Sequence, residues 1–177
     1  MTQDIYQKAI KFAGEKHQYQ KVPGMNANYL LHISNVAMEI LMAFNADNNF
    51  DLDFAIQVAL LHDTIEDTDT TFDEIKQEFG ERIAVGVQAL TKNEKFPTKR
   101  EKMADSLYRI NEADKEVGMV KLADRITNLQ EPPVFWSQKK RTSYLEESRL
   151  IGEMLVHKNK YLCDRLNSKI AGYEKYI

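Results

Sequence analysis

The side chains best suited to chemistry lie in one stretch of the sequence, LLHDTIEDTDTTF, which contains His62, Asp63, Glu66 and Asp67. Glu66 follows His62 by four residues, and Asp67 follows Asp63 by the same interval. Residues four apart lie on one face of a helix, so all four side chains should project from adjoining faces of the same turn. Carboxylates this close repel one another unless a cation lies among them. The stretch predicts a polar site, and an ordinary acidic surface turn with one core histidine is the alternative.

Two more polar residues stand within apolar helical stretches. His32 is flanked by leucine and isoleucine, and Asp124 lies inside VKLADRITNL. A buried imidazole or carboxylate needs a partner, and for His32 a satisfied core histidine is the alternative. Two imidazoles and two carboxylates form a mixed nitrogen and oxygen set that suits Mn²⁺, Fe²⁺, Co²⁺ or Zn²⁺ better than Ca²⁺. The sequence thus suggests a divalent metal site made by His32, His62, Asp63 and Asp124.

Helices must position these residues, because apolar side chains recur at intervals of three and four and only seven Gly and four Pro interrupt them. The segment FAIQVALLHD is apolar nearly all round and predicts a central buried helix from Phe54 to about Thr64. Thr71 and Glu74 have the spacing of a capping box, and Gly80 stands where that short helix should end. We expect an all-α bundle of about eight to ten helices.

Composition limits the remaining possibilities. The 177 residues suit one domain, 1–177, and a net charge of -3 provides no overall attraction to nucleic acid or to an anionic membrane. A single cysteine, Cys163, cannot form an internal disulfide or a thiolate metal cage. No uninterrupted apolar segment predicts a signal peptide or a membrane span. We expect a cytoplasmic protein that binds a small molecule, with no nucleic acid or membrane partner; the oligomeric state stays open.

The order of the candidate residues, His32, then the pair His62 and Asp63, then Asp124, resembles that of the HD-domain phosphohydrolase superfamily. More specifically, five segments resemble, in the same order, the hydrolase domain of the RelA/SpoT proteins that degrade the alarmone (p)ppGpp. The resemblance covers roughly residues 5 to 130 and leaves no room for a synthetase domain, so it implies a stand-alone small alarmone hydrolase similar to the metazoan SpoT homologues. The segments are HISNVAMEI, VALLHDTIEDTDTTFDEI, FGERIAVGVQALTK, REKMADSL and VKLADRITNL.

The resemblance implies a role for each candidate residue. It makes the two histidines and two aspartates ligands of one divalent ion, Mn²⁺, with Fe²⁺, Co²⁺ or Zn²⁺ as alternatives. It makes Glu66 and Asp67 a catalytic pair that orients the attacking water and accepts its proton. The implied reaction is hydrolysis of the 3′-pyrophosphate of (p)ppGpp, which gives GDP or GTP and pyrophosphate.

Four residues are predicted to bind the nucleotide. Lys21 and Arg125 would contact its phosphates, and Asn128, one turn after Asp124, would bond the ribose or the base edge. Tyr29 would pack against the nucleotide, and a place in the core is the alternative. These assignments come from family positions or from charge, and the predicted binding residues are Lys21, Tyr29, Arg125 and Asn128.

The loop before His32, QKVPGMNANYLL, departs from the family pattern, which has two basic residues and a proline before the tyrosine. Lys21 is its only base and Asn28 replaces the proline, so base selectivity should be weak. An HD phosphohydrolase of another nucleotide, such as an adenine alarmone, and a non-catalytic nucleotide-sensing module are the alternatives. His17 and His157 fit no pattern and are predicted to be structural or exposed.

Overall fold

A computed structural model describes residues 1–177 as an all-helical chain with no strand, and the isolated bridge between Lys21 and Asn28 is its only β pairing. The predicted all-α fold of eight to ten helices is confirmed. None of the helices is long and apolar enough to cross a membrane. The ten α-helices are α1 (Thr2–Lys16), α2 (Leu30–Ala46), α3 (Leu52–Leu61), α4 (Thr64–Asp67), α5 (Phe72–Phe79), α6 (Glu81–Leu90), α7 (Lys99–Glu112), α8 (Lys115–Asn128), α9 (Gln138–Met154) and α10 (Lys160–Tyr173), followed by a 3₁₀ turn (Glu174–Tyr176).

Capping residues mark the boundaries of α5 and the start of α7, and those of α5 are the predicted ones. Thr71 Oγ1 accepts the backbone N–H of Glu74 at 3.2 Å and begins α5 where the capping spacing placed it. Gly80 ends α5 with a φ of 92°, a backbone angle that glycine adopts without strain. A complete capping box, in which both side chains bond the partner's backbone, begins α7 at Thr98 and Glu101.

Helix α3 is the central helix of the core, as its apolar sequence predicts. Seven of its residues are buried, and it packs against α1, α2, α6 and α8. Its apolar side chains belong to one cluster of 39 buried residues that continues through the whole chain. The site residues are therefore held by helices whose other faces are locked in the core.

One prediction about α3 is wrong: the helix does not run on to carry all four polar side chains on one turn. It ends at Leu61, His62 caps it, and a separate four-residue helix, α4, follows. The hydroxyl of Thr64 donates to the carbonyl of Leu61 at 2.7 Å and so satisfies a helix-end group at the break. The break places Asp63 at the junction, while Glu66 and Asp67 lie on α4.

Candidate metal centre and active site

Three helices bring two histidines and two aspartates together. The Nε2 atoms of His32, in the first turn of α2, and His62, at the end of α3, are 3.3 Å apart. Asp124 Oδ1, in the last turn of α8, lies 3.5 Å from His32 Nε2 and 3.9 Å from His62 Nε2. Asp63 Oδ2 lies 2.9 Å from His62 Nε2 and 3.6 Å from His32 Nε2. Two ring nitrogens and two carboxylate oxygens thus share one small volume.

These separations suit the coordination sphere of a divalent ion. Metal bonds to imidazole and carboxylate of about 2.0–2.2 Å place neighbouring ligand atoms about 3.0–3.5 Å apart. The atoms of His32, His62 and Asp124 all lie within 4.8 Å of one another. Asp63 does not belong to this group of three, but its Oδ2 lies 2.9 Å from His62 Nε2 and 3.6 Å from His32 Nε2. The mixed nitrogen and oxygen set could therefore hold a borderline metal.

Neighbouring groups orient two of these ligands. His62 Nδ1 bonds the carbonyl of Ala59 at 2.8 Å, which favours a proton on Nδ1 and leaves the Nε2 lone pair facing the other ligands. The hydroxyl of Tyr29 donates to Asp63 Oδ2 at 2.5 Å. Tyr29 is itself buried, and burial together with the charge of Asp63 raises the pKa of its hydroxyl, so it remains a donor at neutral pH. Both contacts hold the ligand atoms toward one centre.

Asp124 is held from two sides. The ammonium of Lys121 lies 3.0 Å from Asp124 Oδ2, and the amide of Asn128 donates to Oδ1 at 2.5 Å. Burial alone would raise the pKa of Asp124, but Lys121 and then His62 outweigh it and lower the pKa to about 2. The carboxylate is therefore ionised and ready to act as a ligand.

The same charges favour a cation at the centre. Burial opposes a charged imidazolium, yet the carboxylates of Asp63 and Asp124 outweigh it and raise the pKa of His62 to about 9. Without a metal, Nε2 of His62 is therefore protonated at neutral pH, and a bound ion would take the place of that proton. Burial would also raise the pKa of Asp63, but His62 and His32 lower it well below its usual range. A buried group of acids that attracts positive charge this strongly has the electrostatics of a metal site.

The two acidic residues on α4 have different surroundings. Glu66 accepts the backbone N–H of Lys92 at 2.9 Å and its ammonium at 2.5 Å. Asp67 accepts a bond from the amide of Gln20 at 2.9 Å. Burial, and then repulsion from Asp63 and Glu66, raises the pKa of Asp67. A carboxylate with a raised pKa beside a metal site is suited to take a proton from water.

A cleft of about 830 Å³ opens in front of these groups. Its walls carry Tyr29, Trp136 and Tyr144 as well as acidic groups of the site. Seven of the lining residues are basic and six are acidic, although the chain as a whole has a net charge of -3. A divalent ion at the centre would offset two of the acidic charges, so the metal-loaded cleft would favour a ligand that carries negative charge. The basic residues of the lining are Lys92, Lys99, Lys102, Lys121, Arg125, Lys139 and Lys140.

The structure brings three of the four predicted nucleotide-binding residues to this cleft. Tyr29, Arg125 and Asn128 line it. Lys21 lies outside the lining, and its ammonium bonds Asn26 within its own loop at 2.5 Å. The loop before α2 therefore contributes its tyrosine to the cleft, and its single base points to a neighbouring side chain.

Arg125 is more deeply buried than a flexible phosphate ligand would be, with 5% of its surface exposed. Its guanidinium lies 4.1 Å from the ring centre of Tyr144 and is within 3.4 Å of the hydroxyl of Ser148. The stacking holds the positive charge at the wall of the cleft and leaves Arg125 Nε without a partner. Arg125 thus combines a structural contact on α9 with a place in the cleft.

Sequence reasoning missed Lys92, Lys99 and Lys102. They lie in KNEKFPTKREK, a lysine-rich run that leads from the end of α6 into the first turn of α7 and is typical of a solvated turn. The lysine content was the available signal, but the periodicity of the run does not indicate which lysines face the site. Only the packing of α6 and α7 beside α8 brings them to the same cleft as Asp124.

Removal of the metal should lower the melting temperature, because the four ligand atoms are assembled only in the folded chain. A ligand at 100 times its dissociation constant stabilises the fold by about 2.7 kcal/mol, which for a chain of this size is roughly 5 to 10 °C. The measurement is a thermal melt of chelator-treated protein with and without added Mn²⁺. His62→Ala is the control that should show no shift; a full shift in that variant would place the ion elsewhere.

Comparison with known proteins gives one family and several relatives. The family model described as HD domain matches residues 9–151. The guanosine-3′,5′-bis(diphosphate) 3′-pyrophosphohydrolase of Aquifex aeolicus is 38% identical over 154 residues, which make up 86% of this chain and 21% of that protein. The chain therefore spans about a fifth of the length of that relative.

Shorter relatives match over most of their length. The guanosine-3′,5′-bis(diphosphate) 3′-pyrophosphohydrolase MESH1 of Danio rerio is 34% identical over 142 residues, covering 77% of this chain and 76% of that protein. The solved structure of a metazoan orthologue of SpoT, which is described as hydrolysing ppGpp, has a TM-score of 0.81 and covers 95% of this chain and 94% of its own. At 22% identity, that structural match establishes a shared fold.

Proposed function

The chain belongs to the HD domain family, and from this premise we propose that it is a metal-dependent 3′-pyrophosphohydrolase of (p)ppGpp. The observation that carries the proposal is a four-donor centre of His32, His62, Asp63 and Asp124 beside two acidic residues that the centre does not need as ligands. The activity named for its relatives in Aquifex aeolicus and Danio rerio supports the choice of substrate. One continuous core supports a single hydrolase domain over 1–177.

The proposed cofactor is one Mn²⁺ ion held by the two histidines and two aspartates, and their nitrogen and oxygen donors fit it. When bound, such an ion lowers the pKa of water and offsets the charge of a phosphoryl group. The chain's own residues prepare the centre in three ways. Ala59 sets the tautomer of His62, Tyr29 holds Asp63, and the pair Lys121 and Asn128 fixes Asp124.

The proton chemistry belongs to the acidic residues on α4. Asp67 accepts the proton of the attacking water, because its raised pKa makes it a better base than an ordinary aspartate. Glu66, held by two hydrogen bonds from Lys92, orients that water. The water oxygen forms a bond to the phosphorus that bears the ribose 3′-oxygen, and the bond between that phosphorus and the 3′-oxygen breaks. The 3′-oxygen stays on the nucleotide and takes up a proton equivalent to the one that Asp67 accepted, and pyrophosphate is released.

The cleft supplies the remaining recognition. Its lysines face a substrate with two diphosphate groups, and their charges offset those of the phosphates. Trp136 and Tyr144 are the aromatic residues of the lining besides Tyr29, and the charged groups of Lys140 and Arg125 lie 4.1 Å from their respective ring centres. Lys21 would reach the nucleotide only by releasing Asn26, so it contributes affinity when its loop rearranges. The proposed partner is therefore a free nucleotide in the cytoplasm.

The test is product analysis after incubation of the protein with Mn²⁺ and ppGpp. We expect GDP and pyrophosphate in equal amounts, whereas GDP, GTP and ATP, which lack a 3′-diphosphate, should survive. Lys21, the only basic residue of the loop before α2, bonds Asn26 and does not line the cleft. We therefore expect the adenine analogue to be cleaved within about tenfold of ppGpp, a gap of about 1.4 kcal/mol.

Other outcomes of that assay would point to other functions. Release of orthophosphate, or cleavage of GTP at a comparable rate, would indicate a different HD phosphohydrolase. Tight binding of ppGpp to the metal-loaded protein without turnover would indicate a nucleotide-sensing module.

A further inference from the structure

A buried histidine outside the metal centre is connected to Asp67 through a glutamine. His17, directly after α1, has 1% of its surface exposed. Its Nδ1 lies 2.5 Å from Gln20 Oε1, and Gln20 Nε2 donates to Asp67 Oδ2 at 2.9 Å. His17 is thus structural, as predicted, but its hydrogen bond leads to the candidate active site.

The direction of this chain of hydrogen bonds is fixed by its last member. An ionised Asp67 only accepts hydrogen bonds, so the side chain of Gln20 must present its NH₂ group to it. The carbonyl oxygen of Gln20 then faces His17, and His17 Nδ1 must be the donor. The Nε2 of His17 has no partner, which fits a neutral ring with its one proton on Nδ1. Burial, the largest influence, lowers the pKa of His17 and keeps the ring neutral.

Backbone hydrogen bonds within the segment between α1 and α2 fix the position of Gln20. Its backbone N–H donates to the carbonyl of His17, and its own carbonyl accepts the N–H of Tyr29, both at 3.0 Å. The rings of His17 and Tyr29 lie 5.0 Å apart. One short segment therefore delivers two hydrogen bonds to the site, from Tyr29 to Asp63 and from Gln20 to Asp67.

We propose that Gln20, oriented by His17, is a positioning residue that aims the carboxylate of Asp67 at the attacking water. The inference rests on the proposed hydrolytic function. Asp63 and Glu66 repel Asp67, so without a tether its carboxylate would turn away from them and from the centre. Gln20 donates its hydrogen bond to Oδ2 of Asp67 and leaves Oδ1 of the same carboxylate to accept the proton.

The first experiment compares Gln20→Ala with Gln18→Ala. Gln18 belongs to the same segment, is exposed, and makes no side-chain hydrogen bond, so it is a matched control. We expect Gln20→Ala to lower kcat by about tenfold, to leave KM within about twofold, and to keep one metal ion per chain. Gln18→Ala should match the unaltered protein. Loss of metal in Gln20→Ala, or an unchanged kcat, would overturn the inference.

A double-mutant cycle with Asp67→Asn separates positioning from a general structural role. If Gln20 acts through Asp67, Gln20→Ala should cost no further activity once Asp67 is replaced by asparagine. A further tenfold loss in that background would overturn the inference. The unaltered protein and the Asp67→Asn variant also test the proposed function. If the unaltered protein does not cleave ppGpp, both proposals are overturned. If the unaltered protein is active and Asp67→Asn is impaired, the proposed function stands, and an unexpected result for Gln20→Ala overturns the positioning role alone.

Replacement of His17 tests the orienting step. His17→Asn keeps an N–H donor near the position of Nδ1 and loses ring volume, whereas His17→Phe keeps the volume and loses the donor. We expect His17→Asn to have the higher kcat and His17→Phe the higher melting temperature. The opposite order of kcat values would show that His17 only fills space and would overturn its part in the inference.

Discussion

Alanine in place of Asp124 should remove both the bound metal and turnover. The carboxylate lies 3.5 Å from His32 Nε2 and supplies one of the two charged ligands of the proposed centre. Its removal also leaves Lys121 as an unpaired cation at 3.0 Å from the former carboxylate position, which repels a metal ion. The loss of activity should exceed the 10- to 100-fold that removal of an outer partner of a metal ligand typically costs.

Metal analysis and turnover of ppGpp by the same preparation check this expectation. Asp164→Ala is the matched control, because Asp164 is also a helical aspartate paired with a lysine, Lys160, but lies on α10 and outside the cleft. It should keep one ion per chain and full activity. An Asp124→Ala protein that is active without metal would refute the proposed centre.

The fold was predictable because local signals agree with one another. The interval of three or four between apolar residues, the cap at Thr71 and the glycine at Gly80 each indicate the same helices. The break after Leu61 was not predictable, since the apolar pattern continues smoothly into His62. There the chain follows side-chain bonds, such as Thr64 to the carbonyl of Leu61, that compete with a longer helix.

The candidate ligands were predictable for the opposite reason, because they are polar residues within apolar helical stretches. A histidine or aspartate within an apolar helix is costly unless it binds something, so His32 and Asp124 stand out in the sequence. Lys92 and Gln20 give no such signal. Each lies in a polar loop typical of a solvated surface, and only the tertiary fold brings Lys92 to Glu66 and Gln20 to Asp67.

The direction of the Lys21 side chain was not predictable for the same reason as the contacts of Lys92 and Gln20. Its charge and its position in the family pattern predict a phosphate contact, and neither depends on where the loop points. In the structure the loop is closed by the pairing of Lys21 with Asn28 and by the bond to Asn26. The direction of a loop side chain depends on short-range bonds of this kind, which leave no trace in hydrophobic periodicity.

Asp67→Asn and Glu66→Gln should keep the metal and lose turnover. Each change preserves the size of the side chain and removes a negative charge without altering a proposed ligand. Loss of a positioned general base typically costs about 10²- to 10⁴-fold in rate. We expect Asp67→Asn to show this loss, because the raised pKa of Asp67 makes it a better proton acceptor than an ordinary aspartate.

Glu66→Gln should act in the same direction for a different reason. Glutamine can still accept the backbone N–H of Lys92, but its NH₂ group would face the Lys92 ammonium, so the side chain must turn and release the water it orients. Metal content, kcat and KM measured together separate these roles. If both variants keep the metal and have a reduced kcat, the two residues act on the water. If Glu66→Gln loses its metal, Glu66 is a metal ligand and Asp67 is the only base.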